Sequence, residues 1–417
     1  MTVREESAMT VDLADVYRDL HRNPELAFQE TRTAGIVAEW LAGLGFEVST
    51  GIGVTGVVGL LRNGPGPTVL LRADMDGLPV EEATGLPYAS HAHGRTADGT
   101  DVPVMHACGH DMHVTCLMGA ARSLGEGRES WSGTLMVVFQ PAEEAGAGAD
   151  AMIKDGLFER FGRPDVVLGQ HVAPLPAGCI GLRPGPAFAA ADALRVVLHG
   201  RGAHGSRPEA SVDPVVMAAA VVLRLQTVVS REIGGTDVAV VTVGSLHAGT
   251  ASNIIPDRAE LLLNIRTFDP AVRERVLAAI HRIIRAEALA SGAPRDPEIE
   301  VTSSFPAVEN DASAVERTRA VLSALPAVVI DPGLVTGSED VGLLATGAGA
   351  PCVYWLLGGA DPAAFAGLVG ESAVAGRVAE LPSNHSPLYA PVIEPTLDLG
   401  VRALVAAARS WLGPAPA

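Results

Sequence analysis

Positive charge is in short supply: 30 Lys and Arg stand against 48 Asp and Glu, for a formal net charge of −18. Phosphate backbones are held by clustered cations, so nucleic acid is excluded as an expected partner. Cysteine is equally sparse. Cys108, Cys116, Cys179 and Cys352 are far apart and irregularly spaced, unlike the framework of a small disulfide-stapled domain. The longest strongly apolar stretch, Val215 to Leu223, is too short to span a bilayer. Met1 to Thr10 carries Arg4, Glu5 and Glu6 and lacks the apolar core of a secretory signal. These absences set the expectation of a cytoplasmic chain with no membrane partner. Internal repeats and low-complexity tracts are missing, and no Gly-x-Ser-x-Gly elbow marks a serine hydrolase.

What remains is an ordinary apolar content of 48% spread over 417 residues, more than one hydrophobic core normally supports. The periodicities begin as an alternation of helices and strands. Helical spacing covers Val11 to Leu20 and Thr31 to Leu44, and Val114 to Leu124 follows; strand-like runs occupy Val54 to Leu61, Thr68 to Arg72, Thr134 to Gln140 and Asp165 to Gln170. Such alternation predicts a sheet covered by helices on both faces. From about Ala193 the order becomes strand, helix, strand, strand, helix, strand, ending near Thr302, which is the ferredoxin-like split pattern. Gly185-Pro186 and Phe305-Pro306 flank it as candidate hinges. The expected fold class is therefore α/β. A discontinuous domain of residues 1–188 and 305–417, with a mixed sheet flanked by helices, receives an inserted α+β domain at 189–304.

Chemistry concentrates in a few stretches. In Met105-His106-Ala107-Cys108-Gly109-His110-Asp111-Met112-His113, Cys108 and His110 lie two apart, so an extended segment would project both to one side. Thiolate and imidazole suit zinc and similar ions. After the strand ending at Gln140, Glu143 and Glu144 arrive side by side at the edge of the sheet. In an extended chain they would point in opposite directions, one toward a metal and its neighbour toward a substrate. His171 follows another strand, and His385 sits in the loop Leu381 to Pro387. Asp74 and Asp76 follow the strand Thr68 to Arg72, where a carboxylate would fix the tautomer of a ligating imidazole. A turn that caps its own backbone would use them equally well.

These stretches resemble the aminoacylase and carboxypeptidase-like dinuclear metallohydrolases, and in particular the amidohydrolase branch with hippurate hydrolases and auxin–amino acid conjugate hydrolases. His21 to Leu26, Arg72 to Asp76, His106 to Asp111, Gln140 to Glu144, Gly200 to His204, Ser252 to Pro256, Asn264 to Arg266, Gly337 to Asp340 and Asn384-His385 carry the likeness along nearly the whole chain. The resemblance implies two divalent ions, zinc or manganese with cobalt or nickel as alternatives, on Cys108, His110, Glu144, His171 and His385, with Glu143 as general base. Relatives outside this branch carry His-x-Asp where Asp74-Met75-Asp76 stands, so Asp74 is not counted as a ligand and Asp76 is the expected supporting carboxylate. The resemblance further implies that the inserted domain is a lid through which a homodimer forms, that His204 polarises the scissile carbonyl, and that Asn253 and Arg266 hold the substrate carboxylate. The activity expected is hydrolysis of the amide bond of N-acyl amino acids. A metallo-exopeptidase acting on dipeptides or short peptides is the alternative.

Overall fold

Four segments of this chain are apolar at nearly every position, which suits strands buried on both faces of a parallel sheet. In the computed structural model, which describes residues 11–414, these are Thr68–Asp74, Gly133–Gln140, Val166–Pro176 and Cys352–Ala360. They run parallel to one another at the centre of an eight-stranded mixed sheet. The hairpin Glu47–Ile52 and Gly56–Asn63 extends one edge antiparallel. Cys179–Gly181 and the short strand Val328–Ile330 form the other edge. Glu47–Ile52 is not signalled by its sequence, because its alternation is polar and its residues are mostly exposed.

Successive side chains of a strand point to opposite faces. Val69, Leu71, Ala73, Leu135, Val137, Phe139, Val353 and Trp355 join one large core with residues of the helices Thr31–Gly43, His110–Glu126 and Thr396–Trp411. The intervening Leu70, Met136, Val138 and Val167 are equally buried. Helices Gly148–Lys154 and Val341–Ala348 lie against the strands that carry the last three.

The chain separates into two compact units. The second, Phe188–Val308 with Leu334–Glu339, is an antiparallel four-stranded sheet ordered Ala239–Ala248, Arg258–Thr267, Ala190–His199, Glu298–Phe305. Helices Pro214–Thr227 and Pro270–Ala290 cover one face. This is the ferredoxin-like arrangement. Both helices start on a proline directly after an aspartate, and Asp213 and Asp269 accept hydrogen bonds from the first free backbone N–H groups. Two details depart from the sequence expectation. Leu334–Glu339, assigned by sequence to the 305–417 segment, belongs to the second unit because Ala189 N–H donates to the Val335 and Gly337 carbonyls. The apolar helix is also longer than Val215 to Leu223: it continues through a π turn to Glu232 and is long and apolar enough by length and composition to cross a membrane. Its Met217, Val221, Leu225 and Val228 are buried in the core against the four-stranded sheet, as in a helix of a packed sandwich.

Leu71 is fully buried in the large core, whereas Leu289 is 83% exposed at the end of Pro270–Ala290. Leu71→Ala is expected to cost about 2–5 kcal/mol through lost burial and a residual cavity, while Leu289→Ala stays within about 0.5 kcal/mol. Urea unfolding followed by circular dichroism separates the two.

Candidate metal centre

In open α/β sheets, functional groups gather where parallel strands end. Asp74 ends the first central strand, Glu143 and Glu144 follow the second, and His171 stands where Val166–Pro176 runs past the last residue it pairs with on Thr68–Asp74. Cys108 and His110 come from the start of helix His110–Glu126, and His385 from a loop.

The extended Cys108–His110 segment expected from the spacing is replaced by a turn. Gly109 adopts φ +83° and caps the helix, so His110 is its first residue. A Cβ at Gly109 would fall 2.4 Å from Val172 Cγ1, which leaves room for glycine alone. A turn likewise replaces the extended Glu143-Glu144 pair. Ala142 has φ +49°, and Gly146 N–H donates to the Glu143 carbonyl. Both carboxylates consequently face the same imidazole, rather than opposite ways: Glu143 Oε2 is 3.9 Å and Glu144 Oε1 3.8 Å from His110 Nε2.

The five residues proposed from sequence as metal-binding converge. Cys108 Sγ is 3.5 Å from His171 Nε2, and His385 Nε2 is 3.3 Å from Glu144 Oε1. Cys108 with His110 and His171, Cys108 with Glu144 and His385, and His110 with Glu143 and Glu144 each present donor atoms within 4.8 Å of one another. His110 Nε2 is buried with no hydrogen-bond partner, and buried Glu144 Oε1 meets the His385 ring nitrogen at 3.3 Å. The 3.8 Å between His110 Nε2 and Glu144 Oε1 is too long for a hydrogen bond, yet two coordinate bonds of about 2.0–2.2 Å to one cation would span it. The donor set therefore fits divalent metal.

The electrostatics point the same way. Burial alone would lower the His110 pKa, but Asp74, Asp76 and Glu144 outweigh it and raise it to about 10. Burial, then the Glu144 and Glu143 charges, push the Cys108 thiol well up. Burial and the neighbouring His113 hold His171 well below its ordinary value. Such a concentration of negative charge around thiol and imidazole favours positive charge at the site, and a divalent ion bound there would displace the protons of Cys108 and His110.

Supporting residues fix these groups. Asp76 Oδ1 lies 3.2 Å from His110 Nδ1, and its Oδ2 accepts the Glu144 N–H at 2.9 Å. One carboxylate thus orients both an imidazole and a glutamate. Asp74 accepts from Arg72 Nη1 at 2.6 Å and from His113 Nδ1 at 2.5 Å, and its Oδ2 lies 3.6 Å from His110 Nε2. His113 Nε2 in turn accepts the Val172 N–H at 2.8 Å, next to His171. Beneath the Glu143 turn, buried Glu30 accepts from Ala142 N–H at 2.8 Å and Thr55 Oγ1 at 2.5 Å. Burial pushes Glu30 up to about 7 against those hydrogen bonds. No role for His113, Glu30 or Arg72 follows from the sequence reading. His113 had a usable signal, since it lies one helical turn from His110; Glu30 lies 112 residues from the backbone it supports and had none.

The other proposed residues lie in the second unit. His204 pairs with Ile254 in a small antiparallel ribbon, is exposed, and places Nδ1 2.7 Å from Ser206 Oγ. Asn253 is exposed beside it, its carbonyl accepting from Gly205 N–H. Arg266 is half-buried on Arg258–Thr267, its Nε donating to Asn264 and its Nη1 to Ser338.

The family model described as Peptidase family M20/M25/M40 matches residues 70–370. The chain belongs to this family. Among M20/M25/M40 relatives, it is 36% identical over 351 residues to thermostable carboxypeptidase 2 of Saccharolobus solfataricus, covering 83% of this chain and 85% of that one. It is 40% identical over 305 residues to a hippurate hydrolase of Campylobacter jejuni, covering 72% and 76%. A Bacillus subtilis crystal structure described as a dinuclear metal binding peptidase of the M20 family superposes with TM-score 0.76 at 28% identity, over 97% and 98% of the two chains. This M20/M25/M40 protein is an enzyme that hydrolyses amide bonds, and its family likeness and side-chain clusters support a dinuclear metal site.

Behind the centre, His21 is clamped between Asp111 Oδ2 at 2.6 Å and Glu82 Oε1 at 3.1 Å. Burial would lower its pKa, but the two carboxylates raise it from 6.5 to about 10. A raised histidine contributes stability that is complete below about pH 6.5 and is lost as pH climbs toward 10. Asp111 and Glu82 are both lowered despite burial, so their share is lost instead on acidification. The melting temperature of the wild type is expected to fall between pH 6.5 and 10, and His21→Gln to flatten that decline; parallel slopes in the two proteins would contradict the clamp.

Proposed function

We propose that the protein removes the acyl group from N-acyl amino acids, such as N-acetyl or N-benzoyl conjugates, with Glu143 as general base. The observation that carries this reading is the convergence of Cys108, His110, Glu144, His171 and His385, with a second carboxylate, Glu143, turned toward the same imidazole. Two divalent ions, zinc or manganese with cobalt or nickel as alternatives, would supply a Lewis acid for the carbonyl and lower the pKa of water from about 15.7 to about 7.

The remaining work falls to side chains. Glu143 takes the proton from the attacking water and returns it to the departing nitrogen, so that an amine rather than an amide anion leaves. Asp76 keeps His110 in the tautomer with a bare Nε2. His204 polarises the scissile carbonyl and stabilises the developing oxyanion. Asn253 and Arg266 hold the substrate carboxylate; a guanidinium oriented by Asn264 and Ser338 offers a planar fork that matches it.

The segment 189–304 acts in this reading as a lid and as the contact of a homodimer in the cytoplasm. Val216, Leu223, Val240 and Leu246 are exposed on that unit and supply the apolar surface a second copy would cover. The carboxypeptidase relative favours a second reading, removal of a terminal residue from short peptides.

Substrate preference separates the two. Metal-reconstituted enzyme is expected to turn over N-acetyl, N-benzoyl or indole-acyl amino acids with kcat/KM well above that for dipeptides; the reverse order selects the exopeptidase. Glu143→Gln is expected to retain bound metal, measured by elemental analysis, while kcat falls about 10²- to 10⁴-fold. Full turnover in that variant would remove Glu143 from the chemistry.

A further inference from the structure

His385 is the member of the cluster supplied by a loop, and its side chain is 56% exposed. Its backbone is left-handed, φ +72°, an uncommon state for a residue with a Cβ. Something must hold it there. The backbone N–H of His385 donates to the Ala107 carbonyl at 2.8 Å. The side chain of the preceding residue, Asn384, does more. Its Nδ2 donates to the Cys108 carbonyl at 3.0 Å and to the Val172 carbonyl at 3.1 Å, and it stands 3.8 Å from Cys108 Sγ, within reach of an N–H···S contact.

The Val172 peptide is thereby engaged from two sides. Its N–H is bound by His113, and its carbonyl accepts from His171 Nδ1 at 2.8 Å as well as from Asn384. The His171 bond fixes the tautomer that leaves Nε2 bare toward Cys108. One carboxamide therefore touches the backbone and sulfur of Cys108, shares a carbonyl with His171, and is covalently joined to His385.

We propose that Asn384 is a positioning residue that locks Cys108, His171 and His385 into one geometry and tunes the donor strength of the Cys108 sulfur through an N–H···S hydrogen bond. This rests on the assignment of those three side chains as metal ligands. A hydrogen bond to a coordinated thiolate withdraws electron density from sulfur, which weakens its donation and raises the energy of charge transfer to the metal. An amide supplies two N–H groups for three acceptors, so one N–H is shared between a carbonyl and the sulfur, and it brings no competing negative charge; a carboxylate of the same shape would set its oxygens against two carbonyls and the sulfur.

The test uses cobalt(II) as the probe, added to metal-free full-length protein. Wild type is expected to develop a near-ultraviolet thiolate-to-cobalt band that Cys108→Ser lacks. In Asn384→Ala and in Asn384→Leu, the band is expected to move to longer wavelength and the cobalt Kd to weaken roughly 10- to 100-fold. If Asn384→Ala fails to fold by circular dichroism, Asn384→Leu, which keeps the bulk without donors or added charge, decides alone. A filler role without hydrogen bonding would leave the Asn384→Leu band and Kd at wild-type values, and that result overturns the proposal while the ligand assignment stands. Absence of the band in wild type overturns the Cys108 assignment, and this inference with it.

Discussion

Carboxylates taken out of water must meet cations or hydrogen-bond donors, and that constraint organises the carboxyl end of the large sheet. Asp74, Asp76, Asp111, Asp340 and Glu143 are all buried there or close behind it. Arg72, itself fully buried, answers two of them: it donates to Asp74 and to Asp340, with Gln140 on Nε and Tyr354 also in contact. Its partners come from three of the four central strands and from the residue that precedes helix Val341–Ala348. Fixing the guanidinium therefore fixes the ends of the strands on which the cluster stands. His21 answers Asp111 and Glu82 in the same way. What these cations leave uncompensated lies at His110 and Glu144, the place where bare donor atoms converge.

Much of the architecture was written in local periodicity. Three of the four central strands announce themselves as apolar runs, and those of the second unit as alternation, because one sheet is covered on both faces and the other on one; the fourth, Cys352–Ala360, was not singled out in the sequence. Glu47–Ile52 escaped because an edge strand with exposed polar residues carries neither signal. At the centre, residue types were legible while directions were not. Cys108, His110, Glu143 and Glu144 were picked by chemistry. Their aim depends on left-handed Gly109 and Ala142, and Ala142 gives no sequence hint of a positive φ. Glu30, 112 residues away, accepts the Ala142 N–H and so supports that conformation. Supporting groups such as Glu30, Arg72 and His113 act through tertiary hydrogen bonds, and no spacing rule along one chain reaches them.

The two units also divide physical labour. In the first, strand ends, a helix start and the tight turns beside them carry most of the converging groups. His385 comes from a loop, and the contacts of Asn384 and Ala107 supply restraint there. Among the described residues, the second unit carries both its helices on one face of its sheet and has a ten-residue edge strand, Ala239–Ala248.

The orphaned His110 Nε2 beside the Glu144 carboxylate has a bearing beyond chemistry. A buried polar atom without a partner opposes folding, so any cation that satisfies it adds its binding free energy to the native state. Supply of that cation then governs survival of the polypeptide, since proteases consume the fraction that opens. Under scarcity such a protein would be lost through degradation as well as through idleness, and its steady-state abundance would report the metal status of its surroundings.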